Sequence, residues 1–264
     1  MTIRYLTRKE LQSSQFAMLQ EIHKVCTANN LRYYLAYGTL LGAVRHKGFI
    51  PWDDDVDIMM PVDDYLKLKD IYSSNRFFLA DCFCDKRHPA YFPRIYDNNT
   101  CRGGDEKTLG VFIDIYLIHG APTNQMECAK HIMKIMKTVE LTKWISKWRG
   151  RIARNFLPFL WNQHESYMVT KFCQRIFKML NKYEERTCQL LYAYGGDGLT
   201  ELFWKDYFEK TVLLPFNGAE FCAPSRYHEV LSVTYGNYMK LPPEEQRHPY
   251  HSSSSFCWKS CIKI

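Results

Sequence analysis

Two aspartates, Asp55 and Asp57, open the apolar run Asp55-Val56-Asp57-Ile58-Met59-Met60. On a strand, alternate residues share a face, so both carboxylates project from one side while Val56 and Ile58 enter the core. Carboxylates placed side by side repel each other and are tolerated beside a cation or in plentiful water. Hard oxygen ligands at this spacing suit Mg2+ or Mn2+, ions that also bind substrate phosphates. The bland alternative is an exposed acidic turn, Trp52 to Asp55, ahead of an edge strand; the apolar run that follows argues for a folded sheet instead. A third acid, Asp114, is the only charge in Val111-Phe112-Ile113-Asp114-Ile115-Tyr116-Leu117-Ile118. Such a run is a buried strand, where a lone charge is costly unless compensated. Asp114 therefore either bonds a turn or an arginine, or completes a three-carboxylate metal centre with Asp55 and Asp57.

These acids need elements to position them. Leu31 to Tyr37 is apolar and aromatic and suits a strand; Gly38-Thr39 breaks it; Leu40 to His46 has a helical pattern ending near Gly48. A strand, a glycine turn and a helix N-terminus together make an anion site. Arg45 and His46 lie about two turns further on and add charge. Taken alone, a glycine at a strand end is ordinarily just a turn. After Met60, Pro61 breaks the strand and Val62 to Tyr72 restarts as a helix. Upstream, Thr7-Arg8-Lys9-Glu10 is a capping-box pattern before an amphipathic helix, Leu11 to Ala28, on which His23 reads as a surface residue. Phe77 to Cys84 and Tyr91 to Tyr96 read as strands, and on chemistry alone Arg94 could simply pair with a surface acid.

The stretch G-T-L-L-G-A-V-R-H-K-G-F-I-P-W-D-D-D-V-D-I, from Gly38 to Ile58, resembles the signature of the LicD family, relatives of the fukutin-related transferases within the nucleotidyltransferase superfamily. The superfamily pattern is a Gly-Ser or Gly-Thr turn, a helix, then an Asp-x-Asp strand. The resemblance implies an α+β nucleotidyltransferase-like core with a mixed sheet. It makes Asp55, Asp57 and Asp114 the catalytic and metal-binding set, with Asp114 as the acid on a later strand. It places Gly38, Thr39, Gly42, Arg45, His46, Asp53, Arg94 and Thr100 around the substrate or nucleotide. Tyr235 to Pro243, with Arg247-His248 after it, resembles the family's closing motif. The implied reaction is Mg2+-dependent (or Mn2+-dependent) transfer of phosphocholine, or a similar phospho-alcohol, from a CDP-linked donor such as CDP-choline. The acceptor is a hydroxyl of a cell-surface glycan, such as teichoic acid or lipopolysaccharide, or of its lipid-linked precursor. CMP leaves, and Asp114 or a metal-bound oxygen takes the proton. Choline as the alcohol comes from the resemblance alone.

Composition bounds the rest. The chain has 264 residues, 46% of them hydrophobic, and a net charge of +7. That supports a real core rather than disorder. The ten cysteines show no C-x-x-C pair, and Cys82-Phe83-Cys84 and Cys257 with Cys261 lack zinc spacing, so they read as mostly buried thiols of a reducing compartment. Met1 to Glu10 is polar and reads as no signal peptide, and no apolar run reaches spanning length. The expected place is cytoplasmic, at the inner face of a membrane.

The expected organisation is a catalytic core at 1–125, a basic helical insertion at 126–194, a part packing back on the core at 195–250 and a loose tail at 251–264. In Met126 to Phe156, Lys130, Lys134, Lys137, Lys143, Lys147, Arg149, Arg151 and Arg154 face only Glu127 and Glu140, while Leu141, Ile145, Trp148, Ile152 and Phe156 recur at helical spacing. That is an amphipathic helix packed on the core or, more sharply, a 130–161 segment meeting anionic lipid, with Trp144, Trp148 and Trp161 at head-group level. No nucleic-acid fold accompanies the charge, so no nucleic-acid partner is expected. A second helix, Val169 to Tyr192, should end at Gly195-Gly196. Phe203 to Leu214 suits a hairpin edge, and Ser225 a helix cap.

Three other functions fit parts of the pattern: a nucleotidyltransferase acting on an NTP, an Asp-x-Asp glycosyltransferase using a nucleotide sugar, and a non-catalytic relative. In the glycosyltransferases the apolar strand usually precedes the acids, whereas here it follows them. A dead site has no need to keep three mutually repelling carboxylates.

Overall fold

The computed structural model describes residues 3–85, 87–88, 90–156, 170–194, 200–249 and 255–261, without the side chains of 145–156. Helix α1 (Arg8–Ala28) starts on the expected capping box: the Glu10 N–H donates to the Thr7 hydroxyl and the Thr7 N–H to Glu10 Oε2. Such a cap contributes about 1 kcal/mol. Leu11, Met18, Leu19, Ile22 and Cys26 form its buried face. His23 is half-buried on it and shares a 2.6 Å hydrogen bond with the Tyr33 hydroxyl.

The chain then builds β1 (Tyr34–Leu35), α2 (Tyr37–Arg45), β2 (Asp57–Pro61), α3 (Val62–Ile71), β3 (Phe77–Ala80), β4 (Arg94–Asp97), β5 (Thr100–Arg102) and β6 (Phe112–Ala121). Helix α4 (Gln125–Phe156) follows, then a helix over 170–180 (α5), β7 (Leu190–Tyr194) and β8 (Thr200–Trp204). Last come the hairpin β9 (Thr211–Phe216) and β10 (Ala219–Pro224), α6 (Tyr227–Tyr235) and β11 (Phe256–Trp258).

The architecture is α+β. A mixed seven-stranded sheet runs β1-β2-β6-β4-β3, with β7 also on β6 and β8 on β7. The ten-residue β6 is its centre. It pairs parallel with β2 on one side; on the other it pairs antiparallel first with β4 and then with β7. Its apolar length explains this position, because a strand covered on both faces needs no polar alternation. Ile113, Ile115 and Leu117 are buried on one face, and Asp114 and Tyr116 project from the other, into a cleft.

Several boundaries differ from the sequence reading. The chain enters α2 at Tyr37, the first helical residue, whose φ is 43°, and Gly38 lies within the helix rather than before it. Asp55 precedes β2 rather than belonging to it. The expected helix to Tyr192 gives way to β7, because Leu190 to Tyr194 fills a slot between β6 and β8; a short apolar run reads equally as buried helix or strand. The last part of 126–194 therefore belongs to the main sheet. In the segment expected to be loose, β11 pairs antiparallel with β5, burying Phe256 and Cys257. Helix α6 is capped by Arg226 without a side-chain bond, since the Ser225 N–H closes the preceding hairpin onto the Lys210 carbonyl. Among the described residues no helix is long and apolar enough to cross a membrane. The expectations for Trp161 and for the side chains of Ile145, Lys147, Trp148, Arg149, Arg151, Ile152, Arg154 and Phe156 lie outside the described residues.

Gly42 is a packing position. A Cβ there would sit 2.4 Å from the Gly48 carbonyl oxygen, which is backbone and moves only with its loop. Gly42→Ala is expected to destabilise the protein by about 1–3 kcal/mol, as overpacking does. Urea unfolding checks this, and unchanged stability would show that the 48–50 loop yields.

Candidate active site

The cleft above β2 and β6 encloses about 860 Å³, within the range of small-molecule sites. Its floor is set by strand register. Asp57 lies beside Asp114 across the parallel β2–β6 pair, and Asp114 lies beside Arg94 across the antiparallel β6–β4 pair. Two carboxylates and a guanidinium thus form one row on one face of the sheet. Arg94 Nε donates to Asp114 Oδ1, and an Nη donates to Oδ2 at 3.5 Å. The guanidinium also covers the Phe112 ring at 4.0 Å, a favourable cation–aromatic contact. Asp114 thus has the arginine partner that its sequence context left open, rather than standing as a third uncompensated carboxylate.

Asp57 is buried, and its Oδ1 has no hydrogen-bond partner. Burial first, then Asp55, Asp114 and Asp53, push its carboxyl well above the usual range, with Arg94 opposing. Asp53 is pushed up to about 8 by burial and then by Asp55. A partnerless buried oxygen beside other acids fits a hard divalent cation, and Asp55 and Asp57 are the residues that would hold one. Among the described residues no three acidic, histidine or cysteine side chains stand together as a complete ligand set. Asp114, expected as a third ligand, is paired with Arg94.

Second-layer contacts hold the acidic loop. From α1, Arg8 donates to the Pro51 carbonyl, Gln12 to that of Asp53 and Gln15 to that of Asp54. The Thr39 hydroxyl accepts from the Asp57 N–H at 2.9 Å. The space that a side chain at Gly38 would fill is taken by Asp53 Oδ2, 2.5 Å from the Cβ position. The anion position at the start of α2 is thus taken by the protein's own carboxyl.

Of the residues expected from sequence, Gly38, Arg45, Asp53, Asp55, Asp57, Arg94 and Asp114 line the cleft together. Thr39 and Gly42 stand behind it, and His46 accepts a hydrogen bond from Arg45 Nε outside the lining. Thr100 is placed elsewhere: buried, it receives the Val111 N–H and donates to the Asp97 carbonyl. The sequence reading missed Tyr37, Tyr116, Glu201 and Tyr235 as cleft residues. Tyr235 left a trace as the first residue of the closing motif, and Glu201 as the acid ahead of the apolar Leu202-Phe203-Trp204. The Glu201 carboxyl is pushed up to about 7 by burial, against a hydrogen bond from Thr234.

Two outcomes follow. Asp114→Ala leaves the largely buried Arg94 charge without its partner and is expected to cost roughly 3–5 kcal/mol of stability. Denaturant unfolding in EDTA measures this; a stabilised variant would mean that relief of carboxylate repulsion outweighs the lost pair. For Glu201 the folded pKa lies above the unfolded value, so its stabilising contribution is present at low pH and is lost as pH rises from about 4 toward 7. Glu201→Gln should therefore lose less stability than wild type between pH 5 and pH 8 in melting curves. Parallel curves would show that Glu201 titrates normally.

Comparison with known proteins agrees with this geometry. Residues 30–147 match the family model described as LicD/FKTN/FKRP, nucleotidyltransferase domain, a span from before β1 into α4 that includes the whole Asp57–Asp114–Arg94 row. The chain is 29% identical over 266 residues to lipopolysaccharide cholinephosphotransferase LicD of Haemophilus influenzae, covering 95% of this chain and 98% of that protein. It is 50% identical over 40 residues to ribitol 5-phosphate transferase FKRP of Homo sapiens, 15% of this chain and 8% of that one. It is also 29% identical over 111 residues to mannosyltransferase regulator 4 of Saccharomyces cerevisiae, 41% of this chain and 9% of that protein. Residues 30–147 are thus similar to the LicD-type nucleotidyltransferase domain, and the chain as a whole is similar to a LicD cholinephosphotransferase along nearly its full length.

Proposed function

We propose that this protein transfers a phospho-alcohol, phosphocholine or a close relative, from a CDP-linked donor to a hydroxyl of a cell-surface glycan or its lipid-linked precursor, with release of CMP. The observation that carries this reading is the row Asp57–Asp114–Arg94 at the floor of a cleft large enough for a nucleotide-linked donor. The likeness to a cholinephosphotransferase along nearly the whole chain supports it.

Asp55 and Asp57 would hold Mg2+ or Mn2+. When bound, the ion supplies charge neutralisation for the pyrophosphate and for the leaving nucleotide. The chain's own groups do the rest. Arg94, held by Asp114, presents a fixed positive charge beside the reacting phosphate. Arg45, Lys240 and His248 line the same cleft and suit the nucleotide phosphate and base. Thr39 and the α1 side chains keep the acidic loop in place, so attack of the acceptor oxygen on the distal phosphorus stays in line. The acceptor's proton passes to a carboxylate of the Asp53–Asp57 group; Asp53 is the one already pushed into the neutral range.

Helix α4 exposes Met126, Met133, Leu141 and Trp144 among Lys130, Lys134 and Lys137. An apolar and basic face of this kind suits peripheral contact with anionic lipid, which would bring a cytoplasmic enzyme to a lipid-linked acceptor.

Incubation with a panel of CDP-alcohols, Mg2+ and a glycan acceptor should release CMP. Asp57→Asn should lower the rate by at least a hundredfold while leaving the melting temperature in EDTA nearly unchanged or higher. Pyrophosphate release from an NTP, with no CMP from any CDP-alcohol, would assign the site to nucleotidyl transfer.

A further inference from the structure

The cleft is lined by basic groups and by aromatic rings. Helix α2 runs from Tyr37 to Arg45 with both residues in the lining, and at 1.5 Å per residue its ends are about 12 Å apart. Arg45 shares the lining with Lys240 and His248. Around Tyr37 the wall is aromatic: its ring meets Tyr116 edge-on at 4.7 Å, and Tyr116 stacks on Phe92 at 5.2 Å. Tyr235, at the end of α6, is 42% exposed although it lines the cleft, so its ring is open to a ligand.

Glu201, on the edge strand β8, joins this wall. Its Oε2 is buried and has no hydrogen-bond partner, and among the described residues no lysine or arginine pairs with it. A desolvated carboxyl oxygen with nothing opposite it is costly. Burial, and not repulsion from the aspartates, perturbs Glu201, so it is a separate acidic point from Asp55 and Asp57. Tyr37 and Tyr235 share the lining with both Glu201 and Asp57, and besides burial both acids act to keep their hydroxyls protonated.

We propose that Glu201 and the rings of Tyr37, Tyr116 and Tyr235 form the subsite for the cationic end of the transferred alcohol, a quaternary ammonium one short chain away from the phosphate at Asp55 and Asp57. This rests on the phospho-alcohol reading of the same cleft. A quaternary ammonium has no N–H to donate, so it is held by aromatic faces and by an uncompensated negative charge in a poorly solvated place. The cation also keeps Glu201 ionised. A neutral polyol gains neither effect, and its hydroxyls meet ring surfaces that satisfy few of their hydrogen bonds. Glu201 and Tyr235 therefore determine which alcohol is transferred, and lie outside the 30–147 domain that holds the metal-binding acids.

The test uses the full chain with Mg2+. Wild type should turn over CDP-choline with a kcat/KM at least tenfold above that for CDP-glycerol. Glu201→Gln should bring the two within about threefold, mainly through KM. Tyr235→Leu should shrink the preference likewise, while Tyr235→Phe keeps it; this pair carries the test if Glu201→Gln does not fold by circular dichroism. Calorimetry with tetramethylammonium and with the neutral carbon isostere of choline adds a readout independent of turnover. CMP release without preference for the cationic donor, or a preference that survives Glu201→Gln and Tyr235→Leu, overturns the subsite and leaves phospho-alcohol transfer standing. CMP from no donor overturns the transfer reading, and calorimetry then decides the subsite. Tetramethylammonium binding that Glu201→Gln or Tyr235→Leu abolishes supports it, and equal binding of the cation and its isostere overturns it.

Discussion

Burial of like charges side by side is the constraint on which this molecule turns. The β2–β6 register sets Asp57 against Asp114, and the β6–β4 register sets Asp114 against Arg94. One of the two carboxylates has a fixed counter-charge and the other does not. Slipping either strand by one residue would turn an aspartate into the core and an isoleucine into the cleft, so the apolar alternation that builds the sheet also fixes the site. Asp57 bears the cost of this arrangement in a raised pKa, which a divalent cation would oppose with its charge.

The helices serve the same row. Helix α1 donates three side-chain hydrogen bonds to carbonyls of the 51–54 loop, and α2 closes against Gly48 and Asp53 where its glycines leave room. The loop is held by hydrogen bonds to its backbone, which leaves the Asp53 carboxylate to line the cleft while Asp54 is buried. Asp53 lies against the start of α2, where the helix dipole favours negative charge, while burial and Asp55 act in the opposite sense and prevail.

Around that centre the cleft is unevenly furnished. One sign of charge along its length would serve a single anionic ligand; instead its lining divides among the basic groups Arg45, Lys240 and His248, the carboxylates of Asp53, Asp55, Asp57, Asp114 and Glu201, and the rings of Tyr37, Tyr116 and Tyr235. This division suits a donor whose two ends differ in charge, with the phosphates between them. The wall formed by β8 and α6 comes from a part of the chain distant in sequence from the acids, so the acidic row and the wall that carries Glu201 and Tyr235 are contributed by separate segments.

The sequence by itself determined the apolar strand that opens at Asp57, though not that Asp55 stays outside it, and also the capped first helix and the buried central strand. These are local properties: alternation of side chains, a Thr-x-x-Glu box, and a lone aspartate in an apolar run. It also determined that Asp114 needed compensation, but not by what. Only the tertiary structure decided that Arg94, twenty positions earlier, is the partner, since strand order and register set that distance. It alone turned Leu190 to Tyr194 into sheet, because a short apolar run takes the form of the slot that buries it. It alone brought Glu201 and Tyr235 opposite Tyr37, for no spacing rule links residues whose proximity comes from β8 and α6 folding back over the first half of the chain.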